Sequence, residues 1–293
     1  MTAPTDAPWT VLRLLDWTKA YLARADVPEP RLAAEVLLAH VLGCDRIELY
    51  ARFDYRPRPD ELAAYRRLVS RAHAREPVAY LVGTKEFYSM RFKVTRDVLV
   101  PRPETEILVS EAVGHLRARG AGARMWDACT GSGCVAVAVA AQVAEVSVLA
   151  TDISPAAVAV AAENAAAHGV ADRVRCRVAD LLSLPDDCAD FPPLDVITAN
   201  PPYVPHGDDI AKEVEREPQI AIYAGASGYE MIRPLIEAAP RFLAAGGALM
   251  MEFGLGQVDT VRDLIGATGE FEEPKIVLDH QELERTAVAV RRG

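Results

Sequence analysis

The sequence predicts an α/β protein whose main domain is a doubly wound, mainly parallel sheet, preceded by a small helical domain. Beyond Gly122, short apolar runs alternate with helical stretches, and most of these runs lack polar residues at every second position. Strands of that kind are buried on both faces, as in parallel sheets covered by helices on both sides. The first 75 residues show helical periodicity with no strand pattern between the helices.

The helical domain is predicted over residues 1–78, and a β-hairpin linker over 79–100. Apolar residues at helical spacing predict three helices, over 11–22, 32–42 and 60–73. Prolines stand just before the second and third helices, where a missing backbone N–H is tolerated. In the linker, apolar residues lie among polar residues and turn formers from Phe87 to Val94, which is typical of a hairpin.

The α/β domain is predicted over residues 101–293. It opens with the segment PRPETE (101–106), whose acidic residues suit the first turn of a helix over 107–116. Apolar runs predict strands over 124–128, 146–151, 174–178, 196–199, 248–253, 275–278 and 286–290. Helices are predicted over 134–142, 155–168, 229–238 and 258–265. No helix separates the last two strands, so we expect an antiparallel pair at one edge of the sheet.

The charge balance argues against a protein that binds duplex DNA mainly through its phosphates. Lys and Arg number 32 against 42 Asp and Glu, a formal net charge of −10, whereas such proteins usually carry a basic surplus.

Hydrophobic residues make up 51% of the chain, which excludes a wholly disordered protein. The most apolar stretch, 134–149, is too short to span a bilayer, and no signal-peptide pattern is present. We therefore expect a soluble, cytoplasmic protein with no membrane partner.

The cysteines indicate a reducing compartment. There are five, widely spaced and without a CxxC pair, so the sequence predicts neither a disulfide framework nor a zinc site. No metal is expected.

The first motif with chemical meaning is a glycine-rich turn after the first strand of the α/β domain. It comprises Cys129, Thr130, Gly131, Ser132 and Gly133 and opens the following helix. Its glycines permit close backbone approach, and the helix N-terminus offers free N–H groups to a ligand.

An aspartate, Asp152, ends the second strand about 20 residues farther on, where a carboxylate can accept hydrogen bonds from two ribose hydroxyls. The loop and Asp152 together predict a site for a nucleoside cofactor. Residues 131–136 also match the dinucleotide pattern GxGxxA, so a nicotinamide dehydrogenase stays open at this point. No GK[ST] follows the loop, which excludes a P-loop.

The second motif is Asn200-Pro201-Pro202-Tyr203, which follows an apolar strand at its carboxyl end, where open α/β sheets place their ligands. The prolines have no N–H, so this backbone presents only acceptors. The Asn200 side-chain carbonyl and a proline carbonyl can hold both hydrogens of a planar NH2 group and direct its nitrogen at an electrophile. Tyr203 can pack against the flat group. A nicotinamide dehydrogenase would leave this tetrad unexplained.

A third element, Asp180-Leu181, follows the third strand. Asp180 can accept from an adenine amino group, and Leu181 can supply an apolar contact. The alternative is that Asp180 merely caps a short following helix.

With these motifs, the chain resembles the peptide-chain release factor glutamine methyltransferases, the PrmC/HemK family of S-adenosylmethionine-dependent enzymes. The similarity extends over nearly the whole chain and includes the linker, PRPETE, the glycine loop, Asp152, the tetrad, Glu217-Pro218 and Glu252-x-Gly254. The tetrad alone is shared with DNA and RNA amino-methyltransferases, whereas its combination with PRPETE is much more specific.

The resemblance implies a Rossmann-like, class I S-adenosylmethionine-dependent methyltransferase fold with a seven-stranded sheet. It implies that the helical domain recognises a release factor and that the α/β domain methylates the glutamine amide of its GGQ loop. Residues 129–133, Asp152, Asp180, Leu181 and Asn200 are then expected at the cofactor, and the tetrad at the target amide. No direct nucleic-acid partner is expected.

Two departures from the family pattern and two alternatives remain. Cys129 stands where the family usually has glycine, and residues 224–228 read AGASG in place of a typical GGxDG.

One alternative function is a nucleic-acid adenine amino-methyltransferase that uses the same tetrad; the net acidity and the lack of an evident basic recognition segment argue against it. The other is an inactive binding module, against which the intact tetrad and Asp152 argue.

Overall fold

The computed structural model describes residues 8–293, so the first seven residues of the predicted helical domain lie outside the described range. The chain divides into two compact units. The first contains the described residues up to Gly83 together with Ile210–Arg216, and the second contains Thr84–Asp209 and Glu217–Gly293. The domain boundaries expected at residues 78 and 100 stay predictions. No pattern in the sequence indicates that residues 210–216 belong with the helices.

The first unit is helical. Its helices are α1 (Val11–Ala23), α2 (Pro30–Leu42), α3 (Arg46–Ala51), α4 (Pro59–His73) and α5 (Val78–Val82). Thr10 caps α1 by accepting the N–H of Arg13, prolines begin α2 and α4, and Gly43 ends α2 in the left-handed conformation. The short helices α3 and α5 were not predicted, because one or two turns give too little periodicity to recognise.

The segment Ile210–Arg216 is held within the first unit by Arg75. The guanidinium of Arg75 donates to the carbonyl of Ala25 at 2.6 Å and to Glu213 Oε2 at 2.6 Å. Both charged side chains are largely buried, with 16% and 15% of their surface exposed. A buried pair of this kind ties two distant stretches of chain together, because either partner alone would be left without compensation.

The second unit begins with the predicted hairpin, whose strands are β1 (Thr84–Phe87) and β2 (Met90–Lys93). Tyr88 and Ser89 at its tip both have positive φ, 50° and 58°. That pair of conformations matches the right-handed twist of the strands. The N–H of Tyr88 donates to Glu106 at 2.7 Å, which anchors the turn to the start of the next helix.

A seven-stranded sheet forms the centre of the second unit. Its strands are β3 (Arg124–Ala128), β4 (Ser147–Asp152), β5 (Val174–Val178), β6 (Leu194–Ala199), β7 (Leu243–Glu252), β8 (Lys275–Leu278) and β9 (Glu284–Val290). Their order is β5-β4-β3-β6-β7-β9-β8. The first five are parallel, whereas β9 runs antiparallel to β7 and β8. The predicted fold class and the antiparallel pair at one edge are confirmed.

Helices cover both faces of the sheet. They are α6 (Glu106–Arg119), α7 (Cys134–Gln142), α8 (Pro155–Ala167), α9 (Ile232–Ala238) and α10 (Val258–Thr268). Adjacent strand residues enter opposite cores: Met125 belongs to one apolar cluster and Trp126 to the other. The strand order reverses between β3 and β6, so a crevice opens there at the carboxyl ends of the strands. No helix within residues 8–293 is long and apolar enough to cross a membrane.

Candidate functional site

A cavity lies within the second unit at the carboxyl ends of β3 to β6, where the topology predicts a ligand. The loop after β3 contributes Cys129 and its neighbours, and β4 contributes Asp152 with the following Ile153. The residues after β5 are Asp180 and Leu181, and those after β6 include Asn200 and Pro202. The structure therefore brings the three motifs of the sequence together around one space.

The glycine loop uses its two glycines differently. Gly131 lines the cavity with a φ of +54°, and no atom lies within 4 Å of where a Cβ would be. Gly133 does not line the cavity. It begins α7 with a φ of +77°, and a Cβ there would lie 2.9 Å from the Cβ of Ala161 in α8. Gly131 thus leaves room beside the cavity, whereas Gly133 lets two helices approach closely.

Asp152 is bound at both carboxylate oxygens by backbone N–H groups. Oδ2 accepts from Gly131 and Oδ1 from Ser154, each at 2.9 Å. Burial raises the pKa of Asp152, while these hydrogen bonds act in the opposite direction. Because each oxygen of a carboxylate has two lone pairs, both can accept one more hydrogen bond from a ligand in the cavity.

Asp127, near the end of β3, lines the cavity, although it is not among the residues predicted at the cofactor. It is buried and accepts hydrogen bonds from the hydroxyls of Thr130 at 2.5 Å and Thr198 at 2.6 Å. Burial raises the pKa of Asp127 to about 6. It lies in β3, two residues before the glycine-rich turn, and that position near the end of a buried strand was the available signal. It joins the glycine loop to β6.

Two other lining residues have left-handed backbone conformations although neither is glycine. Cys129 has a φ of +56° and Leu181 a φ of +46°. Burial raises the pKa of the Cys129 thiol far above its usual range, so the thiol is protonated at neutral pH. Asp180, beside Leu181, is exposed at the cavity.

Only two of the four tetrad residues line the cavity. Asn200 and Pro202 line the cavity, Pro201 is buried, and Tyr203 is not among the lining residues. The Asn200 side-chain nitrogen donates to the hydroxyl of Thr105 at 3.1 Å, and the Tyr203 hydroxyl donates to Glu252 at 3.2 Å. The packing role expected for Tyr203 against a flat ligand stays a prediction.

The loop that carries the tetrad is fixed by Gln257, which sequence reasoning missed. Its Nε2 donates to the carbonyl of Tyr203 at 3.2 Å, and its Oε1 accepts from the N–H of Gly254 at 2.8 Å. Gly228 packs against the same place, since a Cβ there would lie 2.6 Å from the Tyr203 carbonyl oxygen. No sequence pattern marks Gln257, because its role arises only from the folded arrangement.

The PRPETE segment forms another wall of the cavity through Pro101, Arg102 and Thr105. The buried Glu217 holds this wall: it accepts from the N–H of Val100 at 2.9 Å and from Arg102 at 2.6 Å. The resemblance had included Glu217 without a role, and the structure shows what it binds.

Glu252, at the end of β7, accepts a hydrogen bond from the Thr105 hydroxyl at 2.7 Å. Burial raises the pKa of Glu252 to about 7. The residues of PRPETE, the tetrad and Glu252-x-Gly254 are therefore connected by direct hydrogen bonds.

Comparison with protein families gives a consistent result over both units. A family model described as the PrmC N-terminal domain matches residues 13–83. A second, described as a methyltransferase domain, matches residues 126–216. A solved methyltransferase structure from Pyrococcus furiosus has a TM-score of 0.52 at 16% identity and covers 76% of this chain and 98% of its own. The second unit therefore has a methyltransferase fold.

Curated relatives extend the similarity to nearly the full length. The release factor glutamine methyltransferase of Geobacter sulfurreducens is 42% identical over 269 residues, which cover 89% of this chain and 90% of that protein. The protein of the same name from Chlorobaculum tepidum is 37% identical over 289 residues, which cover 96% and 97%. With identity of this level over almost the whole of both chains, this chain belongs to the release factor glutamine methyltransferase family.

Proposed function

We propose that this protein transfers a methyl group from S-adenosylmethionine to the side-chain amide nitrogen of a glutamine in the GGQ loop of a peptide-chain release factor. The observation that carries the proposal is the cavity that both Asp152 and Asn200 line, at the ends of β4 and β6. A carboxylate that can accept from a nucleoside and an amide oxygen that can accept from a substrate NH2 group therefore line the same cavity. The name of the relatives supports the choice of substrate.

The cavity fits the adenosine part of S-adenosylmethionine. Asp152 can accept from the two ribose hydroxyls with its remaining lone pairs, since its other hydrogen bonds are already made by the backbone. Ile153 lines the cavity with 49% of its surface exposed and offers an apolar face to the adenine ring. Asp180, also at the cavity, can accept from the adenine amino group.

The target amide is held by Asn200 and a proline carbonyl. The Asn200 nitrogen is turned to Thr105, which leaves Oδ1 to accept a hydrogen bond from the substrate NH2. A proline carbonyl of the tetrad can accept from the second hydrogen, and neither proline has an N–H that would meet the substrate NH2 donor to donor. These two acceptors orient the nitrogen and stabilise the positive charge that develops on it.

When bound, S-adenosylmethionine supplies an electrophilic methyl group: the N–C bond forms as the C–S bond breaks, sulfur keeps the electron pair, and the nitrogen releases one proton to water. The residues of this chain contribute binding, orientation of the target nitrogen and stabilisation of the charge that develops on it.

The first unit is proposed to recognise the release factor. It matches the PrmC N-terminal domain, a module distinct from the methyltransferase domain. Contacts with a folded protein remote from the reacting amide can contribute to turnover by positioning the loop. We therefore expect intact release factor to be methylated far better than a free GGQ peptide.

The test is transfer of labelled methyl from S-adenosylmethionine to intact release factor, GGQ peptide and DNA in parallel, with mass spectrometry of the modified residue. We expect methylated glutamine in the release factor. Asn200→Ala should retain binding of S-adenosylhomocysteine and lose about 100-fold in turnover, the scale for one preorganised polar group. Labelling of DNA alone would overturn the proposed function and favour a nucleic-acid amino-methyltransferase. Equal labelling of peptide and protein would remove the proposed role of the first unit.

A further inference from the structure

The amide of Asn200 is chemically asymmetric, and the proposed reaction needs one of its two orientations. An amide oxygen can accept a hydrogen bond from the substrate NH2, whereas an amide nitrogen would meet it donor to donor. The two ends have almost the same size, so packing cannot select between them. The selection must come from hydrogen-bond partners on the side away from the substrate.

The structure provides a directed chain of such partners. The Asn200 nitrogen donates to Thr105 Oγ1 at 3.1 Å, and the same hydroxyl donates to Glu252 Oε2 at 2.7 Å. A hydroxyl has one hydrogen. Because that hydrogen is given to Glu252, Thr105 can only accept from Asn200, and the amide nitrogen has to face it.

Glu252 keeps this direction because an ionised carboxylate can only accept. It is fully buried, and its other oxygen accepts from the Tyr203 hydroxyl at 3.2 Å. The sheet register places it correctly: Ala199 of β6 pairs with Met251 of β7, so Asn200 and Glu252 follow on neighbouring strand ends.

We propose that Thr105 and Glu252 are positioning residues that fix the orientation of the Asn200 amide, so that its oxygen is presented to the target NH2. The inference rests on the proposed function. It adds which residues decide whether the oxygen or the nitrogen of the Asn200 amide faces the substrate. Neither residue needs to touch the reacting atoms. Glu252 dictates the direction of the Thr105 hydroxyl, and the hydroxyl dictates the direction of the amide.

Protonation of Glu252 would reverse the chain. A protonated Oε2 can donate to Thr105, whose hydroxyl is then free to donate to the Asn200 oxygen after a flip of the amide. Burial raises the pKa of Glu252 to about 7; Glu104 also raises it, while Arg285 and the hydroxyls of Thr105 and Tyr203 lower it. The active orientation belongs to the ionised form, so kcat should increase as the pH rises through about 7.

The experiment compares Glu252→Gln, Thr105→Val and Thr105→Ser with the unmodified full-length chain. The readouts are kcat and KM for methylation of release factor from pH 5.5 to 9 and the affinity for S-adenosylhomocysteine. The matched control is Thr286→Val. Thr286 is buried on β9, pairs with Glu252, and its hydroxyl has no hydrogen-bond partner among residues 8–293.

We expect Thr105→Val to lower kcat at least about tenfold, the effect of losing a well-placed hydrogen bond, with affinity for S-adenosylhomocysteine kept within about threefold. Glu252→Gln removes the titrating group, while its amide oxygen can still accept from Thr105. In both variants the rise of kcat near pH 7 should disappear. Thr105→Ser restores the hydroxyl and should recover both kcat and the pH dependence. Thr286→Val should keep the kcat and the pH profile of the unmodified protein.

An active wild-type protein whose Thr105→Val variant keeps kcat within about twofold, or whose Thr105→Val or Glu252→Gln variant keeps the rise near pH 7, would overturn this inference alone. A wild-type protein that methylates no glutamine acceptor would overturn the proposed function with it. If Glu252→Gln does not fold, the Thr105→Val and Thr105→Ser pair decides the question, because Val and Ser differ in the hydroxyl on which the proposal depends.

Discussion

The carboxylate of Asp152 accepts a hydrogen bond of 2.9 Å from the backbone N–H of Gly131. A side chain at the end of β4 thus fixes the loop that follows β3, so the proposed ribose ligand and the glycine loop are held in one arrangement. Preorganisation of this kind reduces the conformational entropy that the site loses when a ligand binds.

The first prediction concerns this contact. Asp152→Ala should weaken binding of S-adenosylhomocysteine by about 1.5–3 kcal/mol, the usual range for hydrogen bonds to a charged group. Calorimetric titration of the full-length protein measures it. Asp172→Ala removes an exposed aspartate that does not line the cavity and should leave affinity unchanged. Equal affinities of Asp152→Ala and the wild type would exclude Asp152 from the cofactor site.

The second prediction separates backbone strain from collision at the tetrad. Gly228 and Gly256 have nearly the same φ, +82° and +78°, but only Gly228 approaches the Tyr203 carbonyl. Gly256→Ala should lower stability by about 1–2 kcal/mol, the penalty for a left-handed L-residue, with turnover close to wild type. Gly228→Ala should lower stability further and also reduce turnover, because its Cβ displaces the tetrad. Thermal unfolding and methyl transfer measured side by side test this. Similar turnover of the two variants would contradict it.

The third prediction concerns the first unit. Arg75→Met should destabilise it by about 3–5 kcal/mol, because it leaves Glu213 buried without its partner. The control is Arg52→Met, since Arg52 pairs with Glu48 through one hydrogen bond and both side chains are about half exposed, 49% and 43%; such pairs contribute less than about 1 kcal/mol. Hydrogen exchange of peptides from α1 and α2 reports this unit separately from the sheet. Equal protection in both variants would mean that the Arg75 pair is no stronger than a surface one.

The fourth prediction uses the cysteines. At pH 7.5 Cys129 should react slowly with iodoacetamide, because burial raises the pKa of its thiol and the thiolate is the reactive form. S-adenosylhomocysteine should slow the reaction further, since Cys129 lines the cavity. Cys44, in the first unit and outside the cavity, is the internal control and should react at the same rate with and without ligand. Peptide mass spectrometry over time resolves the two sites. Protection of both cysteines alike would point to a general stabilisation and not to occupancy of the cavity.

The regular part of the second unit was predictable because its strands are short, buried and separated by helix-forming stretches. The predicted bounds agree with the structure for β3, β5, β8 and α7. The start of β7 was placed at residue 248 instead of Leu243, because Gly246 and Gly247 within the strand resemble a turn. Likewise, α9 begins at Ile232 and not at residue 229.

The candidate site was predictable only where its residues are close in sequence. The glycine loop, Asp152 and the tetrad each follow a strand and could be placed from the chain alone. The bond between Thr105 and Glu252 joins residues 147 positions apart, and nothing in a linear pattern states which distant hydroxyl a carboxylate will meet. The sequence shows that each of the two residues belongs to a family motif, whereas the direction of their hydrogen bond can be read only from the folded structure.

The two edges of the sheet have a consequence for how the protein behaves at high concentration. An exposed edge can recruit a strand from another molecule, and charged residues or a very short strand oppose this. The edge strand β5 has Arg177, paired with Asp187 at 2.6 Å. The opposite edge, β8, has four residues, and its Lys275 is bound to Glu111 at 2.8 Å. An added strand would have to strip water from these charges, so we expect concentrated solutions to resist edge-to-edge aggregation.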